Sequence, residues 1–141
     1  MAQITCQFVR PDRLLFEGDI ASMVLVTPSG ELGVWPGHAP EIVALGNGVV
    51  RIHRLPEAGG DTVEVIISGG YAEITPARVI ILADHARRSD DIEVDVVNES
   101  RDKAVASRDE LPEGDGRRAY YENKIAWCDL LLQHAADGHD A

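Results

Sequence analysis

The chain has 141 residues, enough for one good core and a small appendage, with 45% hydrophobic and 26% charged residues and a formal net charge of −11. That charge argues against nucleic acid, whose phosphates need a cationic face. Cys6 and Cys128 each sit inside an apolar pattern and read as small buried hydrophobes in a reducing compartment.

The opening residues carry no charged segment followed by an apolar one, so no secretory signal is predicted. Apolar runs fall far short of the roughly 20 residues that a helix needs to cross a bilayer. In chain order, Ile4, Cys6 and Phe8 alternate with polar neighbours, the period-two pattern of a strand with one dry face. A turn follows at Arg10-Pro11-Asp12, then a short strand at 14–16, a second turn at Glu17-Gly18-Asp19 and a buried strand at 20–26. Residues 41–45 are ambiguous between strand and helix. Beyond them, Val50 and Ile52 point in while Arg51 and His53 point out, and Val63, Val65 and Ile67 point in as well. Ser68-Gly69-Gly70 reads as a bend, after which Ala72 and Ile74 face in and Tyr71, Glu73 and Thr75 face out. Residues 78–83 close the series. The count is about nine or ten short strands, which makes an all-β sandwich or flattened barrel over residues 1–88.

The period changes after Ser89. Asp90 and Asp91 suit the positive end of a helix dipole, and residues 94–110 form helix with a thin apolar stripe. The run from Leu111 to Gly116 breaks it. Residues 117–136 carry the stripe Tyr121, Ile125, Cys128 and Leu132, and His134 to Ala141 should fray. Residues 89–141 therefore read as a second domain, an antiparallel α-helical hairpin. It holds fourteen acidic and six basic residues, a net of −8, against −3 for residues 1–88.

The stretch that organises the sandwich is Gly30 to Pro40, GELGVWPGHAP. Its glycines and prolines predict a short strand between two tight turns, ending in a rigid loop with Glu31 on one side and His38 on the other. Glu31 and His38 are either displayed for function or held for turn geometry, and Trp35 is expected in the core. The pair Asp84-His85 is either half of an acid/base couple or a strand end in solvent. No histidine or cysteine has metal-ligand spacing, no Gly-rich phosphate loop occurs, and Ser29 has no nucleophile elbow. From the residues alone, this is a non-enzymatic two-part interaction protein.

GELGVWPGHAP at 30–40, NGVVRI at 47–52, ISGGYAEI at 67–74 and VIILADHARR at 79–88, in this order and spacing, resemble the epsilon-subunit family of rotary F-type ATP synthases. The resemblance implies a rotor-stalk protein without bond chemistry or cofactor, peripheral to the cytoplasmic face of a bacterial plasma membrane. Its sandwich would pack on the gamma subunit and the loops of the membrane c-ring, with Glu31, Trp35 and His38 as contact candidates. Its helices could reach the alpha and beta subunits, where braking members of the family set basic helices against acidic surfaces; this hairpin is net acidic, so weak inhibition of hydrolysis or none is expected. Some members of the family hold ATP with an acidic-hydrophobic-acidic segment followed by Arg-Ala. Here the segment runs from Asp91 to Asp95 and the Arg-Ala place holds Val96-Val97, so no ATP site is expected. Two rival readings are a dimerising interaction module unrelated to ATP synthase and a metallohydrolase using His38, Glu41, Asp84 and His85.

Overall fold

The computed structural model describes residues 3–139. Two compact units divide the chain, Met1–Arg88 and Ser89–Ala141. The first holds seven strands: β1 (Ile4–Arg10), β2 (Arg13–Thr27), β3 (Gly30–Val34), β4 (Glu41–Ala44), β5 (Asn47–Arg54), β6 (Thr62–Ile74) and β7 (Arg78–Arg88). The second holds two helices, α1 (Val94–Asp109) and α2 (Arg117–His139), after a single 3-10 turn at Ser89–Asp91.

Seven strands replace the expected nine or ten because two of them, β2 and β6, run on through glycine bends and change partners midway. The first part of β2, up to Ile20, pairs with β1, while residues from Ile20 onward pair with β5 and β3. In β6, residues 62–68 pair with β5 and residues 71–74 with β4. β7 stays beside β6 throughout, but only its first part, Arg78–Leu82, also lies parallel to β1. One layer is thus β3, the end of β2, β5, the start of β6 and the end of β7. The other is β4, the end of β6, the start of β7, β1 and the start of β2. The places where strands pass between layers are the glycine stretches that read as turns. Gly18 lies in one, and Gly69 and Gly70 in another, with φ of 75° and 123°. The register between β6 and β7 is kept across the bend, from Ser68–His85 to Gly70–Ala83, with Gly69 and Asp84 facing each other outside the ladder. Glycine lets the backbone bend while the hydrogen-bond ladder continues, so the chain turns without ending the strand.

The core lies between the layers. Ile4, Cys6, Phe8, Val50, Ile52, Val65, Ile67, Ile74, Val79 and Ile81 are buried, as the period-two pattern requires. Each large side chain hidden here contributes about 1.5–3 kcal/mol. The ambiguous stretch at 41–45 is a strand, since β4 pairs with β6 from Glu41–Ile74 to Ala44–Tyr71.

In the second unit, α1 begins at Val94 with Glu93 as its cap residue, so Asp90 and Asp91 fall in the preceding 3-10 turn. The hairpin is pinned by polar contacts. Arg101 Nε donates to Asp129 Oδ1 at 2.5 Å, joining α1 to α2. At the loop, Arg118 Nη1 donates to the carbonyls of Arg108 and Leu111 at 2.8 and 2.9 Å, satisfying groups that the end of α1 leaves unpaired. Among the described side chains of α2, Ile125, Cys128, Leu131 and Ala135 are buried. Leu131 rather than Leu132 therefore completes the stripe. The helix continues to His139, past the expected start of fraying, and residues 140 and 141 lie outside the described residues.

Candidate interaction surface

The Gly30–Pro40 stretch is built from two turns whose residues match their geometry. Pro28 and Ser29 connect β2 to β3, where Thr27 Oγ1 donates to the Gly30 carbonyl at 2.8 Å and Ser29 N donates to Thr27 Oγ1 at 3.2 Å. At the other end, Trp35-Pro36-Gly37-His38 closes on a bond from His38 N to the Trp35 carbonyl, 3.1 Å, with Gly37 at φ 87°. Proline at the second position and a positive-φ glycine at the third define a type II turn. Gly37 N also donates to the Pro76 carbonyl at 2.8 Å, which ties the corner to the turn between β6 and β7.

Trp35 is not in the core: it is 63% exposed, a correction to the expectation from its apolar neighbours. The core ends with Val34, and the turn that starts at Trp35 carries the next side chain away from it. The indole Nε1 would stand 3.3 Å from a Cβ at Gly33, so that glycine leaves it room to lie close to β3. His38 adjoins it; its Nδ1 bonds the Ala39 carbonyl at 2.7 Å, and its Nε2 stands 3.9 Å from Glu41 Oε1. Glu31 is separate, about 13 Å away along the strand at 3.3 Å per residue. Its Oε2 accepts from Arg51 Nη1 at 3.0 Å. The corner thus offers two spots, Trp35 with His38 and Glu31 with Arg51.

The outer face of the second layer holds what sequence reasoning missed. Ala44 pairs with Tyr71, Tyr71 with Leu82, Leu82 with Val9 and Val9 with Leu14. Cross-strand partners share a face, so these five residues form one apolar row across five strands. Tyr71 is 62% exposed, Leu82 56% and Leu14 49%. Alongside, Ile42 is 76% exposed and pairs with Glu73, whose partner on β7 is Ile80. A row of outward apolar residues on adjacent strands marks an interaction surface, whereas single exposed apolar residues would not. The period-two pattern does turn Tyr71 outward, but the row depends on pairings between residues far apart in sequence.

The residues invoked for metal chemistry do not converge. Among the described residues, no three of His, Cys, Asp or Glu gather as a metal-holding group. His85 lies on β7 opposite Ser68, and His38 and Glu41 lie at the corner.

With this geometry in view, the family described as ATP synthase, Delta/Epsilon chain, beta-sandwich domain matches residues 3–89. The ATP synthase epsilon chain of Moorella thermoacetica is 38% identical over 114 residues, covering 81% of this chain and 83% of that one. The chain belongs to the ATP synthase epsilon-chain family. The epsilon chain of Hyphomonas neptunium is 35% identical and covers 92% of this chain and 93% of its own. In fold, the chain is similar to one in the cryo-EM structure of the Euglena gracilis mitochondrial ATP synthase, OSCP/F1/c-ring in rotational state 1, with a TM-score of 0.70. That match has 24% identity and covers 93% of this chain and 80% of the other. The sandwich followed by a helical hairpin is the epsilon fold. No helix among the described residues is long and apolar enough to cross a membrane. In this epsilon-family chain, Val96 is exposed and Val97 buried at the place where an Arg-Ala pair would stand, and the nearby Arg101 is engaged by Asp129.

Proposed function

We propose that this chain is a central-stalk rotor subunit that links gamma to the c-ring and couples proton flow to ATP synthesis, with no bond chemistry, cofactor or ATP site of its own. The observation that carries this reading is the apolar row of Tyr71, Leu82, Val9 and Leu14 on the outside of a stiff sandwich. Gamma is the occupant assigned to that row, because a permanent rotor contact that carries torque needs apolar area on a rigid support. The Gly/Pro corner is assigned to the ring loops through Glu31, Trp35 and His38. It is held at Pro76 and by its own type II turn, so it yields little under load. The working place is the cytoplasmic face of a bacterial plasma membrane, reached through the complex.

The test is a pair of double variants in the full chain. Tyr71→Ser with Leu82→Ser should weaken gamma binding about tenfold or more, the scale of losing an interface anchor. The urea midpoint should move little, because both side chains are more than half exposed and lie outside the core. Glu31→Ala with His38→Ala should weaken ring binding and leave gamma binding intact. Wild-type affinity for gamma in the first variant would overturn the assignment of the row, and wild-type ring capture by the second would overturn that of the corner.

A further inference from the structure

Glu31 does not stand alone on its edge strand. Arg51, on β5, reaches across β2 to place Nη1 3.0 Å from Glu31 Oε2, and its Nε lies 3.4 Å from Oε2 of Glu64, its direct partner on β6. One guanidinium on β5 therefore serves two carboxylates, on β3 and β6, and the three groups together carry one negative charge. A guanidinium stays protonated and presents its donors in a fixed planar fork, so it sets the direction of a bound carboxylate as well as its charge. The contacts engage Oε2 of Glu31 and leave Oε1 for a partner.

We infer that Arg51 is the positioning residue for the contact made by Glu31: it holds this carboxylate ready for a cation or N–H donor on the docked partner. The inference rests on the assignment of Glu31 to the ring loops and deepens it, since the group that meets Glu31 must be a donor to match the residual negative charge. A long acidic side chain free to rotate would have to be ordered during docking, and Arg51 orders it beforehand. All three side chains are substantially exposed, so the effect is that of one surface charge pair, about two- to fivefold in affinity.

The experiment measures the affinity of the purified c-ring for the full chain and for Glu31→Gln, Arg51→Met, Arg51→Lys and the double variant Glu31→Gln/Arg51→Met. Urea midpoints confirm that each is folded. Arg51→Met should bind about two- to fivefold more weakly than wild type, Arg51→Lys should recover part of the loss, and the double variant should be no weaker than Glu31→Gln alone. Arg51→Met binding as well as or better than wild type, while Glu31→Gln weakens, would overturn the inference and leave the Glu31 contact standing. Losses that add in the double variant would also overturn it, because Arg51 would then be making its own contact. Wild-type affinity in Glu31→Gln would remove the contact itself, and the role of Arg51 with it.

Discussion

Gly70 lies where β6 passes from one layer to the other, and its site has no room for a side chain. A Cβ there would stand 2.2 Å from the Leu82 carbonyl oxygen and 2.7 Å from Ala83 Cα, both backbone atoms that cannot move aside, at φ 123°. Gly30 has a similar φ of 129° but open space around it. Gly70→Ala should therefore cost at least about 4 kcal/mol, among the largest single-residue effects, and Gly30→Ala only the backbone strain of about 1–3 kcal/mol. Urea unfolding of the two variants measures the difference. Cys6 illustrates burial in another way: desolvation pushes its thiol up to about 12. Because the thiolate is the reactive form, iodoacetamide at pH 8 should leave Cys6 unmodified in the native chain and label it once the chain is unfolded, as mass spectrometry would report. Trp35 shows the limit of reading single residues. Hydropathy puts a tryptophan inside, but the direction of its side chain is set by the Pro36-Gly37 turn that follows it.

At the scale of elements, the faces of β1, β5 and β6 were legible because a half-buried strand alternates. Ile4, Cys6, Phe8, Val50, Ile52, Ala72 and Ile74 lie inside as that pattern demands. The turn residues at 28–30 and 35–38 were legible too, since turn chemistry is local. Strand number was not, because a glycine pair that ends a strand and one that bends it look alike in sequence. The difference is whether a neighbouring strand continues the ladder across the bend, which is a non-local fact. The same cause hid the Tyr71–Leu82–Val9–Leu14 row. In the hairpin, Asp115 controls the start of α2. Its carboxylate accepts from the Arg117 side chain and, at 2.9 Å, from the Arg117 backbone N–H, and these bonds hold its pKa at about 2, below the ordinary 3.8. A carboxyl whose folded pKa is depressed stabilises the fold fully above its unfolded value and ceases to do so as pH falls through the folded one. The contribution of Asp115 is therefore complete above about pH 4 and disappears as pH approaches 2. Thermal melts followed by helical circular dichroism between pH 5 and 2 should show Asp115→Asn losing this part of the acid dependence. Identical pH profiles for the variant and the wild type would rule out this role.

At the scale of the whole molecule, the two units differ in charge and in what supports them. The sandwich carries a net of −3 and a core made entirely of its own residues, from Ile4 to Ala86. Residues 1–88 should accordingly fold alone with a cooperative transition. The hairpin carries −8 and closes on itself through Arg101–Asp129 and Arg118. The family resemblance implies that braking members set basic helices against acidic surfaces of the catalytic subunits. Here five of the hairpin's six cations are already engaged within it, Arg101, Lys103, Arg108 and Arg117 by carboxylates and Arg118 by backbone carbonyls, and carboxylates outnumber cations fourteen to six. Like charges across an interface oppose docking and slow association, most strongly at low salt. Deleting residues 89–141 should thus change ATP hydrolysis by the reconstituted complex by less than about twofold, on the scale of one weak surface pair. A several-fold rise on deletion would refute weak inhibition. If that rise grew with ionic strength, it would show that the acidic hairpin docks once its charge is screened, so that repulsion rather than shape sets its resting influence.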